Sequence, residues 1–223
     1  MEAETLHSVA IPEQEVMIFS GRVIAEKVSY EDYLSGQYGR HTEWIYGMVI
    51  VMSPIHEAHD GLTRFLSAVF DTYLELTTGG RVLQDPMVMK PGDDFPGRQP
   101  DIQVLLPDRL SLLQETQVAG PANLVVEIVS LESVRRDRGE KFREYERAGV
   151  DEYWILDHQR QEALFYVLGE DGLYHSSLPV DGVCSSHVLS KLKLRVDLVW
   201  QEKLPTTRAA VQMVERMLEE AGT

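Results

Sequence analysis

Residues 121–157 read PANLVVEIVSLESVRRDRGEKFREYERAGVDEYWILD, from Pro121 to Asp157. Leu124 to Val129 is a run of apolar, mostly β-branched residues of the length expected for a buried strand. A charged segment rich in helix formers follows from about Val134 to Ala148, and Gly149 stands where a helix-terminating glycine belongs. Tyr153–Leu156 is a second apolar strand, and Asp157 ends it. Strand, helix and strand at these lengths predict a crossover unit packed on a sheet.

One acid interrupts the first strand. Glu127 shares a strand face with Val125 and Val129, opposite Val126 and Ile128. A carboxylate inside a buried strand is costly unless something pairs with it or binds it. A second acid, Asp101, opens the predicted strand Pro100–Leu106 (PDIQVLL), where Asp101, Gln103 and Leu105 share a face. If the two strands are neighbours, Asp101 and Glu127 converge and repel unless a cation lies between them. All-oxygen ligands suit Mg²⁺ or Mn²⁺ rather than Zn²⁺, with the Ile128 carbonyl and waters available to complete an octahedron.

On the following helix Lys141 falls at i±4 from Asp137 and Tyr145. It is the only lysine there, the other basic residues being arginines. Two readings stand. A lysine beside a metal-bound water orients it and counters charge on a phosphate. Alternatively, Lys141 forms a helix-surface pair with Asp137, worth a few tenths of a kcal/mol. The neighbouring arginines Arg135, Arg136, Arg138, Arg143 and Arg147 are interleaved with Glu132, Asp137, Glu140, Glu144 and Glu146, the pattern of a solvated, ion-paired helix.

Toward the N-terminus, residues 1–27 read as a poorly ordered extension with one short apolar patch at Val16–Phe19, and residues 28–223 as a single domain. Ser29 caps a short helix, with Asp32 at its third position. Glu43–Met52 (EWIYGMVIVM) predicts two strands around Gly47, with Trp44, Tyr46, Met48, Ile50 and Met52 on one face by period-2 spacing. The helix from about Ile55 to Leu76 carries an apolar stripe of Leu62, Phe65, Leu66, Val69, Phe70, Tyr73 and Leu74, with His59 on its inward side. His56-Glu57-Ala58-His59 is not a zinc helix, because the second histidine comes one residue too early. A strand is expected over Arg81–Lys90, with Pro86 marking an edge or bulge, and Pro107–Gly120 reads as a linker. Glu162–Leu168 and Leu173–Leu178 form a hairpin, Val188–Leu194 a further short strand, and Pro205–Glu220 a helix striped by Ala209, Val211, Val214 and Leu218.

The chain has 223 residues, 43% of them hydrophobic and 26% charged, ordinary for a globular protein with one good-sized core. No apolar run approaches the ~20 residues of a membrane span. The acidic N-terminus lacks the order of a signal peptide, so a cytoplasmic protein is expected. Cys184, the single cysteine, excludes an internal disulfide and a cysteine metal cage. The net charge of −15 argues against avid, non-specific nucleic-acid binding by the whole surface. No glycine-rich phosphate loop and no nucleophile elbow is present.

QPDIQVLL, NLVVEIVS and RRDRGEKFREYERAGVDEYWILD together resemble the Uma-type putative restriction endonuclease family, a branch of the PD-(D/E)XK nucleases. The likeness extends back through SYEDYL and EWIYGMVIVMSP and forward to LPTTRAAVQMVERML, covering the chain from about Val28. It implies an α/β fold with a restriction-endonuclease-like core, a mixed β-sheet flanked by helices, and additional N-terminal and C-terminal strands and helices. It implies Asp101 and Glu127 as ligands of Mg²⁺ or Mn²⁺, with DNA as the substrate whose phosphodiester bonds are hydrolysed. The general motif places a lysine two positions after the second acid; Val129 stands there, and Lys141 matches a lysine moved to the following helix. The family reads E-L-I-D-G-E where this chain has Glu43-Trp44-Ile45-Tyr46-Gly47-Met48. Glu43 is therefore the assisting acid, while Tyr46 and Met48 replace two others. That departure keeps a second class open, a catalytically weak or inactive nuclease-like module for binding or assembly. No membrane partner is expected, and a homo-oligomer is compatible with the chain.

Overall fold

The computed structural model describes residues 21–39, 41–52, 57–130 and 133–222. The chain opens with β1 (Arg22–Ala25), α1 (Tyr30–Leu34), β2 (Thr42–Ile45) and β3 (Met48–Val51). It continues through α2 (Glu57–Leu76), β4 (Arg81–Gln84), β5 (Val88–Met89), β6 (Ile102–Leu105), β7 (Gln117–Val118) and β8 (Leu124–Ile128). The crossover helix α3 (Lys141–Ala148) leads to β9 (Glu152–Asp157) and the hairpin β10 (Glu162–Leu168) and β11 (Tyr174–Ser176). A small hairpin, β12 (Val183–Ser185) and β13 (Lys193–Arg195), precedes α4 (Thr207–Gly222).

Six strands form the central sheet in the order β11-β10-β9-β8-β6-β4. Only β8 and β9 run parallel; the other neighbours are antiparallel, so the sheet is mixed as expected. Every residue of β8 and β9 is buried, which explains their unbroken apolar runs. On one face α2 and α4 cover Ile102, Val104, Leu124, Val126, Trp154 and Leu156. On the other, Tyr145 of α3 packs with Val125, Val129, Tyr153 and Ile155. The period-2 assignment of Glu127 to the Val125–Val129 side is thus the α3 side of the sheet.

Several local expectations change. The strand expected over 81–90 breaks at Asp85-Pro86 into β4 and β5, and β5 pairs with β7 inside the expected linker. Asp101 stands one residue before β6 rather than within it. β2 and β3 form a hairpin whose turn is Tyr46-Gly47, both at positive φ. Face parity therefore resets at the turn. Trp44 lies opposite Val49, and Glu43 opposite Ile50, instead of Trp44 sharing a face with Met48 and Ile50. The helix expected from Val134 begins as a π-helical turn over Arg136–Glu140, in which the Lys141 N–H donates to the Arg136 carbonyl. Its end is as expected: Gly149 is left-handed at φ 82°, and the Val150 N–H closes on the Tyr145 carbonyl at 3.0 Å. Ser29 caps α1, its hydroxyl accepting from the Asp32 N–H at 3.0 Å. In α4 the buried residues are Ala210 and Val214, with Met213, Met217 and Leu218 packed beside them; Val214 and Leu218 are as expected, and Ala210 takes the place read for Ala209 and Val211. The strand expected over Val188–Leu194 is confined to β13 and pairs with β12.

The apolar patch at Val16–Phe19 lies outside the described residues. Residues 22–25, within the expected extension, pair as β1 with β3. Cys184 is buried, and burial pushes its thiol up to about 12. Among the described residues no helix is long and apolar enough to cross a membrane.

Candidate active site

Lys141 enters the protein from the first residue of α3 and is 1% exposed. Its ammonium meets one oxygen from each of three acids: Glu127 Oε1 at 2.8 Å, Glu43 Oε1 at 3.2 Å and Asp137 Oδ1 at 3.7 Å. All three acids are buried. The Tyr145 hydroxyl, one turn along α3, donates to the same Glu127 oxygen at 2.8 Å. The surface-pair reading of Lys141 with Asp137 is corrected. The contact exists, but inside the protein, where an ion pair is stronger and a lost partner costs more.

The group that pairs with the buried Glu127 is a protein cation. Lys141 and Tyr145 satisfy Oε1, so the buried carboxylate is tolerated without an ion. Oε2 takes no hydrogen bond among the described residues and is the atom left for a ligand.

Asp101 reaches the same place from the adjoining strand. Ile102 pairs with Val126 in the antiparallel β6–β8 ladder, so the next rung brings Asp101 opposite Glu127. Asp101 Oδ2 accepts the Ile128 N–H at 2.6 Å, and Oδ1 lies 3.1 Å from His59 Nε2 at the start of α2. The same extension of the β4–β6 register, from Gln84–Ile102, sets Asp85 beside Asp101 on the outer side. Asp85 is hydrogen-bonded to His41, and its buried Oδ1 has no hydrogen-bond partner among the described residues.

Electrostatics follow from this crowding. Burial works to raise Glu43, yet Lys141 and Arg98 override it and hold the carboxyl well below the usual range. Burial pushes Glu127 up to about 8 against the pull of Lys141, with Asp101 and Asp137 adding to the rise. Burial works against the Lys141 charge, but Glu127, Glu43 and Asp137 together hold its pKa above the ordinary value. The two partners of the closest ion pair are therefore both raised. Lys141 is the charged member of the cluster, while burial pushes both Glu127 and Asp137 toward the protonated form. Burial would lower His59, but its contact with Asp101 raises it.

The family model Uma2, described as "Putative restriction endonuclease", matches residues 29–196. The chain belongs to that family. A crystal structure described as a putative nuclease belonging to DUF820 from Anabaena variabilis shares the fold. It has a TM-score of 0.59 and 16% identity, with 71% of this chain and 89% of that one covered. No curated protein matches.

Of the residues singled out in this Uma2 chain, Glu43 and Glu127 both touch Lys141, and Asp101 is tied to the residue after Glu127. Tyr46 sits in the hairpin turn with its hydroxyl on the Asp94 carbonyl, and Met48 pairs across the turn with Ile45. Neither supplies an acid to the site. Among the described residues no group of three or more His, Cys, Asp or Glu side chains is arranged to hold a metal ion. The donor chemistry still fits a hard cation, since Asp101 and Glu127 offer oxygens only. A small divalent ion is commonly held by one or two carboxylates and several waters.

Sequence reasoning passed over three members. Tyr145 was placed on the Lys141 face without a role. Asp137 was read as a surface partner. Arg98, 1% exposed, lies between the expected strands with no periodicity to mark it as buried. Its one signal was a lone arginine three residues before Asp101.

Proposed function

We propose that this chain is a metal-dependent endonuclease that hydrolyses DNA phosphodiester bonds. The observation that carries the reading is the 2.8 Å contact between Lys141 Nζ and Glu127 Oε1, with Asp101 fixed to the neighbouring Ile128 N–H at 2.6 Å. Residues from three separate elements meet at one end of β8. Asp101 and Glu127 Oε2 would hold Mg²⁺ or Mn²⁺. Such an ion, when bound, lowers the pKa of a water and offsets charge on the phosphate. Lys141 orients the attacking water from its seat on Glu127 and counters the charge growing on the phosphoryl oxygens. Glu43 holds that ammonium in place. Tyr145 fixes the Glu127 carboxylate plane, leaving its second oxygen outward.

Plasmid nicking with Mg²⁺ tests this reading. Asp101→Ala and Glu127→Ala abolish nicking with the circular dichroism spectrum retained, and Lys141→Met lowers it on the order of 100-fold or more. Undiminished nicking in Asp101→Ala overturns the assignment.

A second reading, a nuclease-like binding or assembly module without catalysis, is favoured by one observation. Glu127 already has a protein cation as its partner, so the fold does not depend on a metal. The −15 net charge and the loss of two family acids at Tyr46 and Met48 agree with it. Calorimetric binding of Mn²⁺ with no nicking of any DNA form separates it from the first.

A further inference from the structure

We infer that Arg98 is a positioning residue for Lys141, acting through Glu43. The inference deepens the active-site reading above, and rests on it only for its consequence in metal affinity.

Arg98 is among the largest fully buried side chains of the protein. Its guanidinium divides its donors between two partners. Nε and Nη2 fork onto the two oxygens of Glu144 in α3, each at 2.7 Å, with Glu140 at 3.6 Å. Nη1 is left for Glu43 Oε2, also at 2.7 Å. Glu43 is thus clamped by its outer oxygen, and only Oε1 faces Lys141, at 3.2 Å. Released from Arg98, the Glu43 carboxylate would be free to turn both oxygens to the ammonium and compete with Glu127 for it. Holding Glu43 back keeps Glu127, at 2.8 Å, the nearest acid.

The backbone of Arg98 closes the circuit. Its N–H and carbonyl pair with Met89 in β5, and the preceding Gly97 pairs with Trp44 in β2, next to Glu43. Three residues further on is Asp101, bonded to the Ile128 N–H beside Glu127. A ring therefore runs from Asp101 along the chain to Arg98, and through Glu43, Lys141 and Glu127 back to Asp101, with Arg98 and Glu43 on the side away from the acid pair. Lysine cannot replace it, because a single ammonium cannot fork onto Glu144 while bonding Glu43.

The test reads the Lys141 ammonium directly, by ¹⁵Nζ–¹H correlation spectra of the full chain, with the signal assigned by its loss in Lys141→Arg. Arg98→Lys and Glu43→Gln are expected to displace or broaden that signal in the same sense. Val214→Ala, a destabilising change in α4 on the far side of the sheet, leaves it unmoved. Mn²⁺ affinity, followed by calorimetry, falls roughly tenfold in Arg98→Lys, which is about 1.4 kcal/mol. A Lys141 signal unchanged in Arg98→Lys or in Glu43→Gln overturns the inference and leaves Arg98 a structural staple. Should Arg98→Lys not fold, Glu144→Gln carries the same decision, since it loosens the fork that aims Arg98 at Glu43 and leaves Glu43 and Lys141 intact: a displaced Lys141 signal supports the inference and an unmoved one overturns it. If wild-type protein takes up no Mn²⁺ while the Lys141 signal moves, the metal reading fails and the positioning role stands.

Discussion

At the residue scale, the site is defined by a shortage of positive charge. Glu127, Asp137 and His59 all have raised pKa values, the two acids chiefly through burial and the histidine through Asp101. The sign of the resulting pH dependence is the same for all three. Between 4.5, the ordinary value, and about 8, Glu127 holds a proton in the folded state that the unfolded chain has lost. Folding stability therefore falls as pH rises through that window. Urea unfolding of EDTA-treated protein is expected to show a declining stability from pH 5 to 8, and Glu127→Gln, which cannot ionise, flattens the decline. A wild-type profile that rises over this range contradicts the assignment. Much of the residue-level picture was legible in the sequence. Glu127 stood out as an acid in an apolar run, and Lys141 as the one lysine among arginines. Arg98 and Tyr145 were not legible as site members, because their importance lies in which atoms meet across distant segments.

At the element scale, the β8–α3–β9 unit was readable because apolar runs, a helix-forming stretch and a terminating glycine agree locally. The hairpin of β2 and β3 was read with its faces out of phase. Period-2 counting cannot pass through a two-residue turn, and Tyr46 gave no turn signal of the Asn or Asp kind. The π-helical turn also escaped, since its composition is that of any charged helix start. Such turns are frequent at functional sites, and this one carries Asp137, four residues ahead of Lys141. Two glycines bracket the segment and make opposite predictions. A Cβ on Gly139 meets nothing within 4 Å and its φ is not positive, so Gly139→Ala stabilises by roughly 0.5–1 kcal/mol. Gly149 sits at φ +82°, so Gly149→Ala destabilises by about 1 kcal/mol or more, although space is open there too. Denaturant midpoints of the two variants moving in the same direction would refute this account of the helix.

At the scale of the whole molecule, three α-helices and a mixed sheet enclose two apolar layers, and the site opens where β6 and β8 end beside α3. Layer architecture was legible from element order. β1 pairs with β3, so a chain beginning at Val28 loses a strand that one beginning at Gly21 keeps. The shorter chain is expected to melt several degrees lower, and equal melting temperatures by calorimetry would restore the boundary at residue 28. On the proposed function, the overall charge of −15 makes DNA approach depend on local electrostatics at the site rather than on a basic surface. The acids that repel a phosphate backbone are the groups proposed to gather the divalent ion that attracts it. One measurement decides this most directly: anomalous diffraction from crystals soaked in Mn²⁺, for wild type and for Glu127→Gln. The account predicts a single strong peak bonded to Asp101 and Glu127 Oε2, lost in Glu127→Gln; a wild-type map with no peak between those two carboxylates would contradict it.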